Sequence, residues 1–231
     1  MLRSSGRQRV WDLPTRLGHW SLALLVTGSL ITGQVAGTWI EWHGYFGLGI
    51  IWLLSFRLVW GVLGSTYARL GQFFPTPSRL IAYARGQWHG LGHSPLGALS
   101  VFSLLSVLIL QAGAGLFAAD DTGFTGPLRS LASHELAESL TDWHRLISNL
   151  VFGLVALHLA AIAWYQYRGK KLIAAMIDGY AREGHGALAR GGGWLALVIA
   201  LTLASALTWY VSGVWIVPEP AVVTPAWSHL A

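Results

Sequence analysis

The stretch WHRLISNLVFGLVALHLAAI (residues 143–162) decides the fold class of this chain. It opens a run, residues 146–167, that contains no Asp, Glu, Lys or Arg. A helix needs roughly 20 apolar residues to cross a bilayer core, and this run is long enough. The stretch also carries His144 and His158, which are 14 residues apart. We therefore predict a membrane-spanning helix with ionisable side chains, which are costly inside a membrane and mark functional positions.

Similar runs recur along the chain. Residues 17–40, 86–119 and 191–218 are free of charged residues, and 44–64 contains Arg57 as its single charge. Of the 231 residues, 54% are hydrophobic and 11% are charged, whereas a soluble domain has about 25% charged residues. We predict an all-α, polytopic membrane helix bundle with spans at about 17–39, 44–64, 96–118, 145–167 and 193–216.

The charged residues predict the orientation of these spans. Twelve of the fifteen Lys and Arg residues fall in segments 1–16, 65–95 and 167–191. The alternate segments, 40–43, 119–142 and 217–231, hold Arg129 and seven of the ten acidic residues. The positive-inside rule then places the N-terminus in the cytoplasm and the C-terminus on the other side. This bias also explains the basic net charge through topology and membrane lipid, so we predict no nucleic-acid partner.

Two of the connecting segments carry helical patterns. In the far-side segment 119–142, Arg129–Leu140 is helix-like. In the cytoplasmic segment, KKLIAAMIDGYA (170–181) is amphipathic and is expected to lie on the membrane surface.

Nine histidines and the absence of cysteine define the chemistry. Without cysteine this chain alone supplies no iron–sulfur cluster, c-type haem attachment or thiolate zinc site. Four histidines lie in or at the ends of predicted spans: His19, His43, His144 and His158. Because successive spans run in opposite directions, His43 pairs with His144 near the outer face and His19 pairs with His158 near the cytoplasmic face.

Each pair is suited to hold one b-type haem. Fourteen residues are nearly four helical turns, so His144 and His158 point the same way about 21 Å apart. Two imidazoles from different helices can fill both axial positions of a haem. With both positions filled, the predicted task is electron transfer rather than oxygen chemistry. The alternative is that these are isolated structural histidines that hydrogen-bond between helices.

Other residues carry weaker indications. His93 is an alternative to His19 as a ligand, or it hydrogen-bonds a haem propionate or a quinone near the surface. Arg57 follows His43 by 14 residues, so it is expected at the level of the cytoplasmic haem, bound to a propionate or snorkelling to the interface. Gly33, 14 residues after His19, is expected to leave room for the outer porphyrin. The remaining histidines are expected in loops or tails: His89, His134, His185 and His229.

Several motifs, taken in order, resemble the prokaryotic cytochrome b561 family, which is related to the cytochrome b subunit of nickel–iron hydrogenases. They are VWDLPTRLGHW, HGYFGLGIIWLLSFRLVWGVLGSTYARL, GHSPLGALSV and the pair WHRLISNLVFGLVALHLAAI and KKLIAAMIDG, within residues 9–180. The resemblance implies a four-helix core with two b haems, ligated by the same four histidines. It implies a di-haem domain over residues 1–191, with the fifth helix and tail over 192–231.

The resemblance also implies a function in the bacterial cytoplasmic membrane. Such a protein passes electrons between the quinone pool and a redox partner, either a c-type cytochrome or a redox enzyme. Two alternatives remain at this point. The chain is either a haem-bearing anchor that docks a soluble redox enzyme or c-type cytochrome, or an oxidoreductase that acts alone on quinone or superoxide.

Overall fold

The protein is a bundle of long helices. The computed structural model describes residues 8–35, 37–119, 124–181 and 189–216. Its helices are α1 (Leu13–Val35), α2 (Ile40–Leu63), α3 (Pro77–Ala84), α4 (Pro95–Gly115), α5 (His134–Tyr167), α6 (Leu172–Asp178) and α7 (Trp194–Val211). Short 3₁₀ turns lie at Gly37–Trp39, Leu70–Phe73 and Arg129–Leu131, and two short strands are β1 (Gln8–Arg9) and β2 (Tyr180–Ala181).

The long helices pack in chain order around an apolar centre. α1 packs on α2, α2 on α4, and α4 on α5, as expected for antiparallel helices that follow one another. All four contribute to one buried cluster: Val26, Ile50, Leu54, Leu105, Leu108 and Val151. α7 packs on α2, where the fully buried Ala200 and Ala204 meet Phe56 and Trp60. Small residues at such a contact let two membrane helices approach closely.

The outer surface of the bundle is apolar. Leu24, Val62 and Leu157 are 74%, 70% and 66% exposed, which suits contact with lipid rather than water. Among the described residues, four helical stretches are long and apolar enough to cross a membrane: Gly37–Leu63, Pro95–Gly115, His134–Tyr167 and Trp194–Val211. The prediction of an all-α, multi-pass membrane helix bundle is confirmed.

The first predicted span is less apolar than the other four. α1 has 23 residues and is therefore about 34 Å long, but it is not among the stretches apolar enough to cross by composition. Polar residues along it, such as His19, Ser29 and Gln34, lower its hydropathy. That α1 is a fifth membrane span stays a prediction, and so does the division of the chain at residue 191.

Helix bounds differ from the sequence prediction in several places. α2 begins four residues earlier than expected, α4 ends three residues earlier and α7 ends five residues earlier. α1 begins and ends four residues earlier than expected, and the chain then turns at Gly37 with a φ of +59°, which glycine tolerates. α5 begins at His134 rather than near residue 145, because Ser133 caps it by accepting a hydrogen bond from the Leu136 amide. With 34 residues it is about 51 Å long, which exceeds a bilayer core of about 30 Å.

One end of the bundle is tied together by polar contacts. We call it the N-terminal end (residues 8–12, 64–94, 168–181 and 189–193) and the opposite end the far end. The Asp12 carboxylate accepts from the Thr15 amide at 2.7 Å, which caps α1. It also accepts from the Trp60 indole at 3.1 Å and the Ser65 hydroxyl at 2.5 Å. Asp12 thus joins the start of α1 to the end of α2.

The predicted amphipathic segment also lies at the N-terminal end. It forms α6, and β2 after it pairs antiparallel with β1. The Val10 amide donates to the Gly179 carbonyl at 2.9 Å, and the Arg16 side chain donates to the Ile177 carbonyl. These bonds fasten α6 to the start of α1. Its contact with a membrane surface stays a prediction.

Candidate functional site

The structure brings His43 and His144 together at the far end. His43 lies in the first turn of α2 and His144 lies in α5. Their ring centres are 5.9 Å apart and their planes cross at 84°. The pairing expected from the order of the spans therefore appears as a direct contact between two imidazoles.

Each of these rings is hydrogen-bonded through Nδ1 to a backbone carbonyl of a neighbouring helix. The His43 Nδ1 lies 2.9 Å from the Ser29 carbonyl of α1, and the His144 Nδ1 lies 2.9 Å from the Gln111 carbonyl of α4. A carbonyl only accepts, so each Nδ1 carries the proton and donates. This leaves Nε2 as the basic nitrogen, the arrangement found in metal-ligating histidines.

A glycine lies against each ring, four residues after the carbonyl that holds it. A Cβ on Gly33 would come within 3.0 Å of the His43 ring, and one on Gly115 within 2.9 Å of the His144 ring. Gly33 was expected to make room for a porphyrin, and in the structure it makes room for the histidine. Sequence reasoning missed Gly115 and both carbonyls, although the spacings 29–33 and 111–115 repeat one pattern.

A cavity of about 400 Å³ opens between α1, α2, α4 and α5 at this level, and His43 and His144 both line it. Most of its wall is apolar, while its polar lining includes Gln34, Arg145 and Asn149. The amide nitrogen of Gln111 lies 3.1 Å from the His144 Nε2. A ligand on that nitrogen therefore requires the Gln111 side chain to move.

The second expected pair lies toward the N-terminal end. His19 of α1 and His158 of α5 are close enough to interact electrostatically. The His158 Nδ1 lies 3.3 Å from the Ser100 hydroxyl of α4. The His19 Nδ1 is buried without a hydrogen-bond partner. A buried nitrogen without a partner is costly for the protein alone and is consistent with a ligand at this level.

His93 stands beside this second pair. Its ring packs against Phe73, with centres 4.0 Å apart, and against Trp11, at 4.6 Å. Burial, followed by the positive charges of Arg57 and His19, lowers the pKa of His93 to about 3, so its ring is neutral at physiological pH. Its Nδ1 is buried without a hydrogen-bond partner.

Arg57 has protein neighbours that the sequence did not indicate. Its Nη1 donates to the Ala68 carbonyl at 2.9 Å, and Asp12 lies within electrostatic range. Ala68 belongs to the loop that folds back after α2 at the N-terminal end. Arg57 therefore reaches the end of the bundle at which His19 and His158 lie.

The other histidines lie apart from both pairs. His89 is exposed. His134 was expected in a loop but opens α5, where its Nε2 is 3.1 Å from Glu138 on the surface. His185 and His229 fall outside the described residues. Within the described part of the chain, no cluster of three or more His, Cys, Asp or Glu residues could hold a bare metal ion. Paired histidines suit a metal whose remaining ligands come from a macrocycle.

Comparison with known proteins agrees with this arrangement. The family described as prokaryotic cytochrome b561 matches residues 10–179. A protein of Escherichia coli (strain K12), the probable Ni/Fe-hydrogenase 1 B-type cytochrome subunit, is 22% identical over 211 residues, covering 74% of this chain and 89% of that protein. The probable Ni/Fe-hydrogenase B-type cytochrome subunit of Azotobacter vinelandii is 24% identical over 165 residues, covering 58% of this chain and 65% of that protein. No solved structure matched the chain.

Proposed function

Since the chain belongs to the prokaryotic cytochrome b561 family, we propose that this membrane b-type cytochrome binds two haems and transfers electrons between the quinone pool and a redox partner. The observation that carries the proposal is the contact between His43 and His144, two imidazoles 5.9 Å apart on the wall of an apolar cavity.

Four histidines are the proposed axial ligands. His43 and His144 hold the haem at the far end, and His19 and His158 hold the haem at the N-terminal end. Haem held in this way supplies reversible one-electron transfer. The protein fixes the ligand rings: the carbonyls of Ser29 and Gln111 orient the far-end pair, and the Ser100 hydroxyl contacts His158.

Arg57 is proposed to provide positive charge to the haem at the N-terminal end. The location of its neighbours, Ala68 and Asp12, at that end supports this assignment. A cation there also stabilises a haem carboxylate. Gln111 occupies the nitrogen that would bind the iron. Its side-chain amide must therefore move away from the His144 Nε2 before that nitrogen becomes a ligand.

The proposed membrane arrangement has five crossings. α1 is long enough to span the core and packs on α2, which supports a fifth span despite its polar residues. The excess of Lys and Arg in segments 1–16, 65–95 and 167–191 supports a cytoplasmic location for the N-terminal end. The membrane is then the bacterial cytoplasmic membrane, with the C-terminus in the periplasm.

The partner is proposed from the relatives. Proteins similar to this chain are named as B-type cytochrome subunits of Ni/Fe-hydrogenases, so we infer that this chain also serves a redox enzyme or a c-type cytochrome. Quinone is the proposed second substrate. A haem-bearing anchor differs from this proposal in that quinol would not reduce the haems of the purified chain. An independent quinone or superoxide oxidoreductase differs in that it would turn over its substrate repeatedly without any partner.

Haem counting tests the ligand assignment. We expect the purified chain to carry two haems by the pyridine haemochrome assay. His144→Ala and His158→Ala should each lose one haem and keep the other, because their rings lie about 21 Å apart on one helix. His134→Ala is the matched control, since it removes an exposed histidine from the same helix, and it should keep both. Two haems in the His144→Ala and His158→Ala variants would contradict the assignment.

A further inference from the structure

The far-end cavity is lined by a positively charged side chain in addition to the two histidines. Arg145 follows His144 on α5 and lines the cavity, as do Gln34 of α1 and Asn149 of α5. Three groups that can donate hydrogen bonds therefore stand beside a mainly apolar space. An apolar cavity with a few polar groups at its edge is typical of a site that orients a ligand with a charged end.

The protein itself provides Arg145 with a weak partner. Its Nη1 lies 3.8 Å from the Asp142 carboxylate, and the two side chains are 62% and 79% exposed. Exposed ion pairs at such a distance contribute little to stability. The guanidinium is thus available to a second anion without the loss of a strong contact.

The position of Arg145 also limits what that anion can be. Side chains on a helix lean toward its N-terminus, and the pairing with Asp142, three residues earlier, has this direction. The guanidinium therefore lies on the far-end side of His144. A cation at this depth of a membrane helix needs water or an anion.

We propose that Arg145 binds the carboxylates of the haem held by His43 and His144, an inference that rests on the proposed function. A b haem has an apolar macrocycle with two propionate carboxylates on one edge, which matches an apolar cavity with a cation at its rim. The planar guanidinium can donate two parallel hydrogen bonds to a carboxylate. The amides of Gln34 and Asn149 are further polar groups in the lining of this cavity.

Haem dimethyl ester separates this proposal from a purely structural role. Both of its carboxylates are esterified, so it keeps the iron and the macrocycle but offers Arg145 no anion. The full-length chain and its variants are reconstituted with haem or with the diester in vesicles of zwitterionic lipid. The rate of release to an excess of a haem-capturing protein is then followed by absorbance.

With ordinary haem, Arg145→Gln should release one of its two haems about tenfold faster than the wild type, the loss expected for one charge-assisted hydrogen bond. Arg145→Lys should fall between them, because it keeps the charge and loses the planar fork. With the diester, wild type and Arg145→Gln should release at the same rate. Arg168→Gln, which removes an arginine at the opposite end of α5, is the matched control and should match the wild type with both haems.

Two results would overturn the inference. One is equal release of ordinary haem from wild type and Arg145→Gln. The other is an effect of Arg145→Gln that persists with the diester, which would assign Arg145 to helix packing. If release is equal in zwitterionic vesicles but differs in anionic ones, Arg145 is instead assigned to binding anionic lipid. These failures differ from failure of the proposed function, in which the wild-type chain would bind no haem.

Discussion

Adding one methyl group at Gly115 should loosen the far-end haem. In Gly115→Ala the new Cβ would lie 2.9 Å from Cε1 and 3.1 Å from Nδ1 of His144, well inside normal van der Waals contact. The ring cannot withdraw freely, because its Nδ1 donates to the Gln111 carbonyl at 2.9 Å. It must move by about half an ångström, and the hydrogen bond that orients it is strained.

The size of the effect follows from two opposed contributions. Overpacking a tight contact costs about 1–3 kcal/mol, and replacing glycine by alanine inside a helix returns up to about 1 kcal/mol. The net cost is about 0–3 kcal/mol. Each 1.4 kcal/mol of lost affinity is about tenfold, so we expect the far-end haem to leave up to about a hundredfold faster while the other haem is retained.

A neighbouring glycine provides the control. Gly113 lies two residues earlier on α4, and a Cβ there would meet nothing within 4 Å. Haem release is measured for Gly113→Ala, Gly115→Ala and the corresponding Gly33→Ala, whose Cβ would meet His43 at 3.0 Å. If Gly113→Ala and Gly115→Ala release haem at the same rate, the close approach of glycine to the ring has no part in holding the ligand.

Two further predictions concern charge. Arg57→Gln should lower the midpoint potential of the N-terminal-end haem, because a nearby cation favours the reduced form; a loss of about 1 kcal/mol corresponds to about 40 mV for one electron. A redox titration that finds both potentials unchanged would mean that Arg57 serves only the loop at Ala68. An alkaline phosphatase fusion at the C-terminus should be active and one after Gly184 inactive, since the positive-inside rule places these points on opposite sides. The reverse pattern would invert the proposed orientation.

The long apolar elements were predictable because their signal is local. A charge-free run such as 146–167 predicts a helix wherever it packs, and α5 occupies it. The contact between His43 and His144 was also predictable, because spans that alternate in direction bring those two positions to one level. Both inferences use spacing along the chain and no knowledge of side-chain neighbours.

The features that sequence reasoning missed depend on neighbours distant in sequence. Nothing local to Gln111 shows that its carbonyl holds a histidine 33 residues later. Arg57 was expected to bind a haem propionate or to snorkel to the interface, yet Asp12, 45 positions earlier, lies within its electrostatic range. The start of α5 was misplaced because the helix-like stretch Arg129–Leu140 was kept within the connecting segment and was not joined to the span, although Ser133 is a favourable N-cap.

Because α5 is one unbroken helix through both His144 and His158, it fixes the distance between the two proposed haem sites. The distance between the ligands is set by the number of residues between them and is insensitive to side-chain packing. An inserted residue would turn one ligand by about 100° around the axis relative to the other. Seven inserted residues, close to two turns, would restore the shared face but add about 10 Å. The length of this segment is therefore constrained even where its individual side chains face lipid and can be exchanged.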